Sequence, residues 1–243
     1  NDYIFSVFTS LKYAARENNF SLTNGVPSII DIPTFVDFML SNELASNPDA
    51  YQFSTYFHKD RDGKLRAGPI WDFNLTYGND LFLWDYDRSH YDVWQFSDGG
   101  NDGPKFWTDL YNNPIYKCYL SRRFNDLIQE GKPMNYNGLN TFIDITIATI
   151  AEASAREQQK WGTIPDLNLE VTNLKSWLSK RITWMTANLG SYNNCSSITI
   201  PSLVITKINY NPTTSTNFPE SNDQEFIEIK NTGTTNINLT GLY

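Results

Sequence analysis

The sequence is short of the residues that most metal and nucleophile chemistry uses. Its 243 residues include only two histidines and two cysteines, Cys118 and Cys195. That excludes zinc sites of the Cys/His kind and leaves hard ions on oxygen ligands. The two thiols could pair in an oxidising compartment, but two cysteines decide little. Basic residues are also scarce: 19 Lys and Arg stand against 27 Asp and Glu, a net charge of −8. This balance is a poor match for nucleic-acid phosphates and for anionic membrane surfaces. No apolar run reaches the roughly 18 residues of a bilayer-spanning helix. Gly99-Gly100 lacks the spacing of a phosphate-binding glycine loop. No Gly-x-Ser-x-Gly elbow is present, so the usual hydrolase signature is missing. The chain opens on Asn1 without Met or a leader, so a preceding segment is expected.

What is abundant is aromatic surface: 7 Trp, 14 Tyr and 15 Phe in a chain that is 40% hydrophobic. The length suits one large domain, or one medium domain with a small one. Aromatic richness accompanies carbohydrate or peptide surfaces in secreted proteins, and equally ordinary core packing.

The pattern reads as α+β. Ile4, Val7, Phe8 and Leu11 recur at helical spacing and predict a helix over 3–18. A second helix is expected from Thr34, with Thr34 and Asp37 at capping-box spacing. Its apolar residues, Phe35 through Leu44, nearly encircle it, which predicts burial. Asn47-Pro48-Asp49 stops it. A β-hairpin is expected over 54–72, turning at Asp62-Gly63. Residues 73–113 read as mostly loop, with Trp84, Tyr86, Tyr91, Trp94 and Phe96 among scattered acids. Three helices are expected over about 114–130, 139–161 and 169–189. The first is capped by Asn113, and Gly131 and Gly190 act as stops. Beyond residue 191 the composition turns to Ser, Thr, Asn and Pro, and alternating runs over 203–210 and 224–230 predict strands.

One constellation carries chemistry. Phosphoryl transfer of the protein-kinase type needs an acid to accept the hydroxyl proton. It also needs a polar metal ligand five residues later, and a second acid at the exit of a following hairpin. Asp49, Ser54 and Asp72 stand at those spacings. Each has a plainer reading: Asp49 as a turn residue after Pro48, Ser54 as a surface hydroxyl, Asp72 as a solvated acid at a strand end. Asp60-Arg61-Asp62-Gly63 and Asp98 to Gly103 read as turns before calcium loops. His58 and His90 read as packed or surface histidines.

The run Ile30 to Leu44, then Asn47-Pro-Asp49, Tyr56 to Asp60, Gly68-Pro-Ile-Trp-Asp-Phe-Asn74 and Tyr77-Gly-Asn79 resembles the CotH kinase family. Arg122 to Leu127, Lys160-Trp161 and Trp177 to Arg181 are similar to the later part of that domain. The resemblance covers about residues 1–190. It implies an atypical protein kinase-like fold, with transfer of the ATP γ-phosphate to Ser or Thr of a surface or coat protein, using Mg²⁺. By position, Asp49 becomes the catalytic acid, Asp72 the metal- and nucleotide-binding acid, Ser54 a metal ligand and Asn74 a cofactor contact. Two positions depart from the family pattern: Asp is usual where Asn74 stands, and Asn is frequent where Ser54 stands. A neutral ligand holds Mg²⁺ more weakly than a carboxylate. The resemblance also places the ATP-anchoring lysine and the phosphate-covering strands upstream of Asn1.

The tail, Leu203 to Pro212, Phe226 to Gly233 and Ile237 to Gly241, resembles the opening of a lamin-tail domain, an immunoglobulin-like sandwich. The expected organisation is a kinase-like C-lobe over 1–190, a linker over 191–201, and the first strands of a truncated β-sandwich over 202–243. This pairing implies a secreted or cell-surface protein whose partner is a protein substrate or surface ligand. The alternative reading is a non-catalytic module that binds a glycan or protein on the same scaffold. A third reading is a hydrolase with paired acids.

Overall fold

Helix α3 (Ile32–Ala45) is the organising element, and its start is chemically explicit. Asp31 is the N-cap: its Oδ1 accepts the backbone N–H of Thr34 at 3.1 Å, and Pro33 occupies the first turn, where a missing N–H costs nothing. The cap is therefore Asp31 and not Thr34, because an Asp three residues ahead reaches an otherwise orphaned N–H. Arg66 pairs with the same carboxylate at 3.3 Å. Asp31→Ala is expected to cost about 1 kcal/mol in urea unfolding, with Asp31→Ser retaining most of it.

The computed structural model describes residues 2–79, 87, 89–164, 166–190 and 202–237, which fall into two compact units, Asn1–Ser196 and Ser197–Tyr243. The expected linker over 191–201, with Cys195, lies outside the described residues. So do Asp80, Trp84, Asp85, Tyr86, Arg88 and the end of the tail.

In the first unit, α1 (Asp2–Arg16) and the short α2 (Val26–Ile29) lead into α3. Phe35, Val36, Phe38, Met39, Leu40 and Leu44 of α3 are all buried, as their spread around the helix requires. The hairpin is real but small. Strand β1 (Phe57–His58) pairs antiparallel with β2 (Arg66–Ala67), Phe57 opposite Ala67. Asp62 and Gly63 do not form a two-residue hairpin turn; Gly63 N–H instead closes a turn on Asp60 O at 3.2 Å. The ladder stops early because Leu65 bonds elsewhere. Its N–H donates to Ile29 O, and its carbonyl accepts from Asp31 N–H, both at 2.9 Å. The hairpin is thereby stitched to the α2–α3 elbow.

Within the mostly loop stretch 73–113 the sequence predicts no helix, and the structure adds two short ones. A 3₁₀ turn spans Gln95–Ser97, and α4 spans Phe106–Asn112. Helix α4 supplies Trp107, fully buried among Phe35, Phe38, Tyr51, Phe57 and Phe106 with ring centroids 5.0–6.1 Å apart. Helix α5 (Pro114–Leu127) follows at once, its N-cap Asn113 accepting from the N–H groups of Ile115 and Tyr116. It ends short of Gly131. Helix α6 (Tyr136–Trp161) is capped by Asn135 and stopped by Gly162 in the left-handed region. None of its 26 residues is buried. Helix α7 (Leu167–Leu189) begins at Asp166, whose side chain accepts from Leu169 N–H, and buries Leu178, Arg181, Met185 and Leu189.

In the second unit, β3 (Leu203–Asn209) and β4 (Phe226–Asn231) form an antiparallel pair with a register shift between Ile205 and Lys207. Ile205, Ile208 and Ile227 remain exposed.

Candidate active site

The left-handed turn after α3 begins the site. Ser46 stands at φ 48° and ends the helix, its N–H donating to Asn42 O and Glu43 O. Asn47 is fully buried. Its amide nitrogen donates to Asn42 Oδ1 at 3.1 Å, and its Oδ1 accepts the N–H of Asp49 at 3.1 Å. Asp49 is half-buried, and its carbonyl accepts the N–H groups of Phe53 and Ser54, both at 3.1 Å.

Ser54 joins this turn to the hairpin exit. Its N–H is bound to Asp49 O, while its hydroxyl donates to Asp72 Oδ2 at 3.2 Å. Of the four residues singled out from the sequence, Ser54 and Asp72 touch through their side chains, and Asp49 is linked to them through the Ser54 backbone. Asp72 is exposed and adopts φ 63°. Asp, whose short side chain tolerates the left-handed region better than most, turns the chain there. Asn74 is exposed, and its carbonyl accepts from Asn79 Nδ2 at 2.8 Å.

Among the described residues no group of three or more His, Cys, Asp or Glu gathers at metal-binding distance. A divalent cation at this place would rest on the Asp72 carboxylate and the neutral Ser54 hydroxyl beside it, while no side-chain contact brings Asn74 to them. That donor set suits Mg²⁺, which is ordinarily held by one or two carboxylates and completes its shell with water and phosphate oxygens. Phe53, Tyr56, Ile70 and Trp71 are exposed beside it, Tyr56 and Trp71 packing at 5.7 Å. The two histidines lie apart from this chemistry. His58 Nδ1 is 3.3 Å from Gly68 O, and His90 Nε2 is 3.7 Å from the exposed Asp87. The loop around Asp102 packs on the Asp49 turn: Asn101 Nδ2 donates to Ala50 O at 2.8 Å and Asp102 N–H to Gln52 Oε1 at 2.9 Å.

The largest electrostatic feature beneath the turn escaped the sequence reading. Glu43 and Arg181 form a fully buried ion pair, Oε2 to Nη2, at 3.0 Å. Arg181 Nε donates to Glu43 O at 2.7 Å, and its Nη1 donates to the carbonyls of Tyr91 and Val93. The guanidinium also lies over Trp94 and Trp184, at 5.5 and 5.0 Å from the ring centroids. Glu43 accepts in addition from Tyr51 OH at 2.8 Å and from the N–H groups of Gln95 and Phe96. Burial pushes the Glu43 carboxyl up from its ordinary range, and Arg181 and the three other donors pull it back. Burial likewise lowers Arg181 and raises the Tyr51 hydroxyl well above its usual value. The one available signal was an acid and a base embedded in the apolar runs of α3 and α7. Trp94 and Phe96 pack inward with Tyr111 and Trp184, so the described part of the aromatic loop covers the core.

The first unit is thus a helical body carrying a short hairpin, with one acid in the turn after α3 and another five residues beyond β2. A family model described as CotH kinase protein matches residues 2–185, and the chain belongs to that family. No curated protein and no solved structure matches it.

Proposed function

We propose that this chain is the helical lobe of a secreted or cell-surface protein kinase that phosphorylates Ser or Thr of a surface or coat protein. The observation that carries the reading is the Ser54 bridge, which ties the Asp49 turn to the Asp72 carboxylate in a chain of the CotH kinase family. ATP supplies the γ-phosphoryl group, and Mg²⁺ offsets the charge on its phosphates. Asp49 orients the acceptor hydroxyl and takes its proton. Asp72, with Ser54, holds the cation. An export route is supported by Cys118, which is disulfide-bonded. The exposed apolar residues of the β3–β4 pair support reading residues 202–243 as the opening strands of an immunoglobulin-like sandwich of the lamin-tail kind.

The test is label transfer from γ-labelled ATP by the full-length protein with Mg²⁺ or Mn²⁺. Wild type is expected to label itself or a Ser-rich acceptor. Asp72→Ala is expected to lose at least about 100-fold, the scale on which even outer-shell partners of a metal act. Absence of both label transfer and nucleotide-induced thermal shift would sink the kinase reading. It would leave a binding module that uses the exposed aromatic surface of Phe53, Tyr56 and Trp71.

A further inference from the structure

The turn bearing Asp49 is gripped more firmly than a surface turn needs. Asn47 fixes its entry from below, and Asn101 and Asp102 clasp Ala50 and Gln52. Its exit is set by Tyr51, which stands at φ 72°. An aromatic residue with positive φ is an outlier that persists only when several contacts enforce it. Here the Tyr51 N–H donates to Thr55 Oγ1 at 2.8 Å, its ring packs on Phe38 and Trp107, and its hydroxyl ends on Glu43. The sign of φ at residue 51 decides the direction in which the chain leaves Asp49 and arrives at Ser54.

The Glu43 carboxylate is itself immobile. Each of its oxygens accepts two hydrogen bonds: Oε1 from Tyr51 OH and Phe96 N–H, Oε2 from Arg181 and Gln95 N–H. A buried ion pair is weak evidence of stabilisation, since well-packed apolar side chains often do as well. What apolar side chains do not provide is a directional acceptor at a fixed point, and Tyr51 uses one. We propose that Glu43, locked by Arg181, is a positioning residue that acts through the Tyr51 hydroxyl to hold the Asp49 turn in its reactive orientation. The inference rests on the kinase reading for its functional meaning.

Tyr51→Phe tests it, because it removes one hydroxyl and leaves the ion pair and its backbone donors in place. Tyr116→Phe is the control: that hydroxyl is also buried in the same core, but it meets Met39 Sδ at 3.5 Å and has no bond to the turn. Amide hydrogen exchange over residues 48–55 is expected to quicken about tenfold in Tyr51→Phe and to stay at the wild-type rate in Tyr116→Phe. In the full-length protein, kcat is expected to fall about tenfold or more in Tyr51→Phe alone, with KM for ATP within about twofold, as slight misplacement of a reacting group does. A role confined to folding would lower the melting temperature in both variants and move neither exchange at 48–55 nor kcat. Exchange in Tyr51→Phe that matches the control overturns the proposal. A wild type that transfers no phosphate overturns the kinase reading instead, and the exchange experiment still decides whether Glu43 holds the turn.

Discussion

Arg181→Ala lowers the unfolding free energy of the first unit by about 3–5 kcal/mol, the scale for stranding one partner of a buried ion pair. The loss has three sources in this molecule. The Glu43 carboxylate keeps its burial but loses its countercharge. The carbonyls of Tyr91 and Val93 lose their Arg181 donor, and that of Glu43 keeps the N–H of Ser46. A space opens beside Trp94 and Trp184, whose rings pack on each other and on the guanidinium. Denaturant unfolding followed by tryptophan fluorescence measures the change, since both indoles border the lesion.

The same variant carries a pH signature. Burial already raises the Glu43 carboxyl above its ordinary value of 4.5, and Arg181 is the largest influence opposing that rise. With Arg181 gone the folded-state value climbs further, so folding of the variant takes up a proton. A raised acid favours the folded state at low pH and loses that advantage as pH climbs through the folded value. The deficit of Arg181→Ala relative to wild type therefore shrinks on acidification from neutrality towards 4.5. A deficit that is constant across this range would show that Glu43 stays ionised without its partner.

Trp107→Ala is expected to cost a similar 3–5 kcal/mol. Its indole is fully buried and packs against five other rings, including that of Tyr51. Few side chains of the molecule have so little room to relax around a deletion. Among the described residues its Nε1 has no hydrogen-bond partner. Trp107→Phe thus loses ring area but leaves no acceptor unpaired, and is expected to cost distinctly less than the alanine change. Equal losses would mean that the indole N–H is satisfied in solution. Because Tyr51 leans on this ring, Trp107→Ala should also loosen the Asp49 turn.

The periodic parts of the fold were legible in the sequence. α3 shows in its nearly encircling apolar residues, α6 and α7 show in their helical spacing, and Asn113 and Gly190 mark the start of α5 and the end of α7. β3 and β4 show in the alternation around Ile205 and Ile227. Helix α4 was not legible. It is seven residues long, follows the turn-rich stretch Ser97 to Pro104, and its N-cap Lys105 offers no capping side chain. The full hairpin was overcalled because two strand-like runs about Asp62-Gly63 suit a long ladder. Leu65 is instead recruited by Ile29 and Asp31, which no local pattern announces. At the site, spacing alone singled out Asp49, Ser54 and Asp72. It could not show that Ser54 is the joint between the other two. The Glu43–Arg181 pair spans most of the first unit in sequence, and such pairings become visible only when α3 and α7 are packed together.

The bare flanks of α6 bear on how this molecule comes apart. Phe142 and Ile145 face solvent, and the helix is held by the partly buried Tyr136, Leu139 and Ile143 and by a seam to α7 that includes Tyr136 OH on Lys175 O. Free energy of local opening follows the apolar surface that an element buries, and α6 buries no side chain fully, with Tyr136, Leu139 and Ile143 only partly buried against the core. It therefore breathes well ahead of the interior. A protease meeting the native chain would find its first foothold there, while the ring-packed centre beneath Asp49 stays closed. This thinly buried helix and the candidate catalytic turn thus belong to separate cooperative layers of one polypeptide.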